Sequence, residues 1–129
     1  MKSFGSSKEF NFGKDIQWDE VGDGVRRQIM AYDDTIMLVN VEFKKGGIGQ
    51  MHKHYHAQVT QVVSGSFKVT IGDETKVLNG GDAFYIPPNV MHGAICLEDG
   101  ILIDVFSPCL LYTSDAADEG LGVDLGGRR

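Results

Sequence analysis

Three of the four histidines of this 129-residue chain fall within the segment His52-Lys53-His54-Tyr55-His56. On an extended strand alternate residues face the same side, so His52 and His54 can present two imidazoles to one cavity. Neutral imidazole is a common ligand of divalent transition metals. The spacing therefore indicates a metal site, although a solvent-exposed histidine-rich turn without a metal would show the same pattern.

The residues around this cluster are spaced in a way that resembles the two sequence motifs of the cupin superfamily. In the first motif a glycine, a His-x-His pair, an acidic or amide ligand and a second glycine follow one another; the matching residues are Gly46, His52, His54, Gln58 and Gly65. In the second motif the matching residues are Gly81, Pro87 and His92. The resemblance covers residues 35–108 and implies that the metal ligands are His52, His54, Gln58 and His92.

The same alignment favours His52 over His56 as the partner of His54. His56 then lies in the connecting turn, as a hydrogen-bond donor to a ligand, a proton carrier or an exposed side chain. Gln58 stands where cupins commonly carry glutamate, and its neutral amide would leave the full charge on the metal, which favours Lewis-acid chemistry and anionic substrates. A packing role for Gln58 is the alternative. Imidazole and amide donors predict a divalent transition metal (Ni, Zn, Fe, Co or Mn) without identifying it.

One carboxylate, Asp104, lies in the otherwise apolar run 101–106. Here, and in segments 24–29 and 52–65, the chain resembles the KdgF-type cupins of pectin and alginate breakdown, which open 4,5-unsaturated monouronates to 5-keto-4-deoxyuronate. The resemblance implies that Asp104 is the acid-base catalyst and that Phe106 contacts the sugar. Arg26 or Arg27 would assist at the substrate carboxylate, alongside the metal, and we predict Arg26. The alternatives are a structural Asp104, a core Phe106 and solvated arginines.

Two other functions fit the same predicted ligands. One is a cupin dioxygenase that uses iron and oxygen, against which Asp104 and the neutral Gln58 weigh. The other is a non-catalytic sugar-binding or sensory cupin, which would bind its ligand without turnover.

The elements that must position these residues are short β-type runs, punctuated by Gly, Asn, Asp and Pro, which are typical of an all-β sandwich or barrel. The cupin resemblance narrows this to a single-domain jelly-roll barrel (double-stranded β-helix). In one predicted strand Met37, Val39, Val41 and Phe43 alternate with more polar residues, which indicates one buried face. We predict strands at 25–31, 35–43, 58–63, 67–71, 74–78, 83–86, 92–97 and 101–106, with turns at 72–73, 79–82 and 98–100.

We predict three segments: an N-terminal extension (1–15), the barrel (16–108) and a non-native tail (109–129). Residues 109–119 and 123–129 resemble the translation of a sequencing adapter, and such segments are set aside in fold reasoning. A native tail is the alternative. KdgF-type cupins continue beyond the Ser-Pro pair with an arginine that assists catalysis, whereas this chain has Leu110.

Composition restricts the partners. The net charge of -6 without a basic cluster argues against nucleic acid. No apolar run approaches the roughly 20 residues that span a bilayer, and the N-terminus has no apolar stretch typical of a secretory signal. Two cysteines are too few for a disulfide framework. We therefore expect a cytoplasmic protein that acts on a small molecule, and analogy with cupins suggests a homodimer formed through the sheets.

Overall fold

A computed structural model describes residues 5–110, which form one short 3-10 helix, Gly13–Asp15, and eight β-strands. No helix in this range is long and apolar enough to cross a membrane. The all-β prediction is confirmed. The strands are β1 Asp19–Gly22, β2 Val25–Asp33, β3 Ile36–Phe43, β4 Ile48–His52, β5 Ala57–Ile71, β6 Glu74–Asn79, β7 Ala83–Ile86 and β8 His92–Ser107.

Two long strands, β5 and β8, organise the sheet. They pair antiparallel along most of their length, from Ala57 with Ser107 to Ile71 with His92. The beginning of β8 also pairs with β4 and its end with β3, while the beginning of β5 pairs with β7 and its end with β6. The hydrogen-bonded path runs β1-β2-β3-β8-β5-β6 and does not close into a ring.

The predicted turn at 98–100 is wrong, because these residues continue β8, and the predicted break between 63 and 67 likewise lies inside β5. Gly65 and Gly100 cross here, where the β5–β8 register shifts. Gly65 has a φ of 86°, and a Cβ on it would lie 2.5 Å from the Asp99 carbonyl oxygen. These glycines therefore do not form turns. They allow two continuous strands to pair irregularly, since only glycine tolerates so close a backbone contact together with a positive φ.

Two strands, β1 and β4, were not predicted. β4 has the sequence Ile48-Gly49-Gln50-Met51-His52, which lacks a simple apolar alternation. It forms by pairing with β8, and the pairing is irregular between Gly49 and His52. This irregularity sets the side to which His52 points.

The predicted apolar face of β3 is confirmed, because Met37, Val39, Val41 and Phe43 are all buried. Phe43 packs edge-on against Phe67 of β5, with ring centroids 5.1 Å apart. Burial of each such side chain stabilises the fold by about 1.5–3 kcal/mol. The core therefore lies between β3 and the facing strands.

The ends of the described chain pack on the strands. The Gln28 amide on the outer side of β2 donates to the carbonyls of Gly13 and Ile16, at 2.7 and 2.9 Å. At the other end Cys109 and Leu110 are buried in the core. The rest of the predicted tail, 111–129, lies outside the described residues.

Candidate metal centre

The backbone brings His52 beside His92. These residues are direct partners in the β4–β8 pairing, and their ring centroids are 4.4 Å apart. His54 follows in the connection after β4, with its ring centroid 5.4 Å from that of His52 and 4.8 Å from that of His92. The structure therefore brings together the three histidines that the motif predicts, and one ring nitrogen of each lies within 4.8 Å of the others.

Each of these rings is oriented by a backbone carbonyl. The Nδ1 atoms of His52, His54 and His92 lie 2.7, 3.0 and 2.9 Å from the carbonyl oxygens of Gln50, His56 and Val90 respectively. A carbonyl can only accept, so each Nδ1 carries the proton and each Nε2 presents a lone pair. Metal-binding histidines are held in this way.

In the described part of the chain, the lone pairs of the two buried rings, His54 and His92, lack protein donors. Among the described residues, the buried Nε2 atoms of His54 and His92 have no hydrogen-bond partner, and a buried acceptor left unsatisfied costs free energy. Burial lowers the pKa of both rings to about 4, so they are neutral near pH 7. Nitrogen ligands lie roughly 2.0–2.1 Å from an ion such as zinc, so two of them are at most about 4.2 Å apart, and one ion would draw together atoms that now lie within 4.8 Å. The residues fit a divalent metal.

Gln58 lies beside this group, buried near the start of β5. Its amide nitrogen donates to the Thr60 hydroxyl at 2.9 Å and, more weakly, to the Asp104 carboxylate at 3.4 Å. The side chain also lies close to the His54 ring. Since the amide nitrogen is engaged with Thr60 and Asp104, the amide oxygen is the atom available to a metal.

Asp104 faces the same cavity from β8. It pairs across the strands with Thr60, whose hydroxyl donates to its carboxylate at 2.6 Å. Burial raises the pKa of Asp104 to about 6, and the hydrogen bonds from Thr60 and Gln58 oppose this rise. A carboxyl with a pKa near neutrality can both accept and return a proton, as acid-base catalysis requires.

A cavity of about 150 Å³, enough for one small ligand, is lined by the three histidines, Gln58 and Asp104. Phe106 lines it two residues beyond Asp104, with its ring centroid 5.9 Å from that of His54. Phe106 is also part of the core. It therefore offers an apolar wall to a ligand near the histidines.

The structure does not bring Arg26 to this cavity. Arg26 lies on the outer side of β2, where its guanidinium is 2.6 Å from Glu42 and 4.3 Å from the centre of the Trp18 ring. Its neighbour Arg27 is buried and lines the cavity instead. The sequence contained a signal for this. Alternate residues of a strand face the same side, so Arg27 shares its side of β2 with the apolar Val25 and Ile29 and is the inward arginine.

His56 is fully buried but stands outside the group of three. Its ring packs against Tyr55, with centroids 4.2 Å apart, and its carbonyl accepts from His54. Of the roles considered for His56, exposure is excluded. Its backbone orients a candidate ligand.

Known proteins resemble this chain in sequence and in fold. The family model described as "Cupin domain" matches residues 39–106, slightly more than half of the chain. The chain belongs to the cupin family. This cupin is 48% identical over 93 residues to the pectin degradation protein KdgF of Dickeya dadantii, with 70% of this chain and 84% of that protein covered.

Two solved structures resemble this cupin closely. An RmlC-like cupin from Shewanella frigidimarina is 43% identical with a TM-score of 0.79, covering 81% of this chain and 94% of that one. KdgF from a Halomonas species is 39% identical with a TM-score of 0.76, covering 80% of this chain and 96% of that one. The predicted cupin fold and the KdgF type are confirmed.

Sequence reasoning missed Thr60 as part of the site. In β5 the alternation that turns Gln58 inward also turns Thr60 inward, and Thr60 is buried. A polar residue at an inward position is the feature that could have revealed it. Only the register with β8 shows that its partner in this cupin is Asp104.

Proposed function

We propose that this cupin opens the ring of 4,5-unsaturated monouronates to give 5-keto-4-deoxyuronate. The observation that carries the proposal is that Asp104, with a pKa raised to about 6, shares one small cavity with the converging histidines. The similarity to a pectin degradation protein of the KdgF type supports the substrate class.

The reaction is an isomerisation without net oxidation or reduction. The substrate ring oxygen joins the anomeric carbon C1 to C5, and C5 is doubly bonded to C4. Removal of the proton from the C1 hydroxyl forms the C1 carbonyl and breaks the bond from C1 to the ring oxygen. The electrons of that bond give an enolate at C5, and a proton delivered to C4 then produces the C5 ketone. The atoms and charges balance because one proton leaves oxygen and one reaches carbon.

In this scheme Asp104 takes the proton from the C1 hydroxyl and returns it to C4. Thr60 and Gln58 hold the carboxylate in place through their hydrogen bonds. Phe106 contacts the sugar ring and excludes water from that side. His52, His54, His92 and Gln58 would hold a divalent transition metal (Ni, Zn, Fe, Co or Mn), which supplies Lewis acidity and a positive charge near the developing oxyanion.

The test is a turnover assay on protein loaded with each candidate metal in turn. Ring opening consumes the alkene, so its ultraviolet absorbance should fall, and nuclear magnetic resonance should identify the keto product. Iron-dependent oxygen uptake would instead indicate a dioxygenase. Tight uronate binding with unchanged absorbance would indicate a non-catalytic sugar-binding or sensory protein, and either result rejects the proposal.

We also propose that two copies form a homodimer through the outer side of the sheet. Four apolar residues, Leu38, Val105, Val59 and Tyr85, lie in register across neighbouring strands there. Val59 and Tyr85 are 49% and 56% exposed. Light scattering should give twice the monomer mass, and Val59→Lys should halve it. Val77, on β6, is 55% exposed and provides the control Val77→Lys, which should remain dimeric.

Three further proposals concern the chain as a whole. The barrel comprises residues 16–108, preceded by an extension, and residues 109–129 are non-native. The partner is a small uronate and not nucleic acid. The location is the cytoplasm, which the low cysteine content of the chain, two residues, supports. Sequencing the source locus across codon 109 tests the first proposal, since an uninterrupted native reading frame would reject it.

A further inference from the structure

Arg27 is a charged residue enclosed where most of its neighbours are apolar. It is 8% exposed and lines the same cavity as His52 and Asp104. Of the described residues that line this cavity, Arg27 is the only arginine or lysine. Much of the remaining wall is aliphatic or aromatic: Val21, Val25, Val39, Val41, Phe43 and Leu102.

An arginine in such surroundings interacts strongly with an anion that enters. Attraction between opposite charges is stronger in a low-dielectric cavity than in water, and the planar guanidinium can form two parallel hydrogen bonds with one carboxylate. A neutral sugar offers no negative charge, and its hydroxyl oxygens are weaker acceptors than those of a carboxylate. The residue therefore favours a carboxylated ligand over an uncharged one.

The strand register separates Arg27 from the acid-base group. Arg27 pairs with Val41, and Val41 pairs with Leu102, which lies two positions before Asp104 on the same side of β8. The hydrogen bonds to Asp104 come from Thr60 and Gln58. The cavity thus presents a cation and a carboxylate at different points of its wall.

This arrangement matches the chemistry of the proposed substrate. A 4,5-unsaturated uronate carries its carboxylate on C5, across the ring oxygen from the anomeric hydroxyl that must lose its proton. We propose that Arg27 binds the substrate carboxylate and makes the site selective for uronates over neutral sugars. This rests on the proposed function, and it gives Arg27 the role predicted for Arg26.

Paired variants of the two neighbouring arginines test the inference. Turnover is measured on the free unsaturated uronate and on its uncharged methyl ester, with metal content and thermal unfolding checked for each variant. Arg27→Gln should raise KM for the free acid about 30-fold or more, the effect of removing about 2 kcal/mol of a buried charge pair. KM for the ester should change little, so the preference for the acid disappears.

The controls separate charge, geometry and position. Arg27→Lys should keep part of the preference, since it retains the charge but not the planar guanidinium, and it decides the question if Arg27→Gln does not fold. Arg26→Gln, which alters the outer side of β2, should behave as the wild type. A folded, metal-loaded Arg27→Gln protein with wild-type preference for the acid overturns the inference and would mean that the metal alone holds the carboxylate.

Failure of the proposed function gives a different result. If the wild type shows no turnover, calorimetry with a saturated monouronate and its methyl ester replaces the kinetic assay. Acid-selective binding that Arg27→Gln abolishes would support the role of Arg27 in the absence of ring opening. Equal binding of acid and ester to the wild type would overturn it.

Discussion

Thr60 and Asp104 are direct partners across β5 and β8, and the Thr60 hydroxyl donates a 2.6 Å hydrogen bond to the Asp104 carboxylate. This bond stabilises the charged form of Asp104, whereas burial disfavours it and raises its pKa to about 6. The position of the proton on Asp104 therefore depends on a residue that takes no direct part in the proposed reaction.

Thr60→Val removes this hydrogen bond while preserving the size of the side chain. The pKa of Asp104 should rise, and since the reaction begins with ionised Asp104, activity should be lost at a higher pH as the solution is acidified. The pH profile of kcat/KM checks this, with metal content measured at each pH. Thr70, an outward-facing threonine of β5 that contacts Thr75, supplies the control Thr70→Val, which should leave the profile unchanged. An acid limb that stays in place or moves to lower pH in Thr60→Val would contradict the assignment.

Replacement of the acid-base group should abolish turnover without loss of the metal. Asp104→Asn should lower kcat by about 10²–10⁴-fold, the usual contribution of a positioned acid or base. Bound metal should remain near the wild-type amount, because the histidines are untouched. Glu98→Gln, an exposed position on the same strand, is the control and should retain full activity. An Asp104→Asn protein with kcat within a few-fold of the wild type would show that another group moves the proton.

Replacement of His54 and replacement of its buried neighbour His56 should differ in their effect on metal binding. His54→Gln removes an Nε2 that faces the group of three and should lower bound metal at least about tenfold. His56→Gln should retain the metal, although the loss of a fully buried ring reduces stability. Elemental analysis after dialysis against a weak chelator makes the comparison. Loss of metal from His56→Gln with retention in His54→Gln would reverse the ligand assignment.

The sequence was sufficient for those parts of this cupin that depend on local pattern. Alternation along residues 37–43 predicted a buried face, and the motif spacing predicted which histidines meet. The sequence was insufficient where the structure depends on how the strands pair with one another. Gly65 and Gly100 have turn composition but cross inside continuous strands, and Thr60 becomes part of the site only because the register places it opposite Asp104. For the two consecutive arginines the alternation along β2 indicates Arg27 as the inward residue, whereas we predicted Arg26.

Leu110 occupies a part of the cavity wall where we expect a positive charge to assist catalysis. It is 7% exposed and lines the cavity together with Asp104 and Phe106. The resemblance to KdgF-type cupins indicates an arginine in this neighbourhood, beyond the Ser-Pro pair. A guanidinium here would stabilise the negative charge that develops on the ring oxygen as the ring opens.

Leu110→Arg should therefore raise kcat/KM for the unsaturated uronate about tenfold or more, because one well-placed donor to an oxyanion is commonly worth that much. The absorbance assay measures it. Leu110→Gln is the matched control, as it introduces a polar side chain of intermediate length without a charge, and it should not reproduce the gain. The thermal unfolding midpoint should fall for both variants, since each replaces a buried apolar side chain. Equal activity of the Leu110, Gln and Arg proteins would mean that the residue at this position does not limit the reaction.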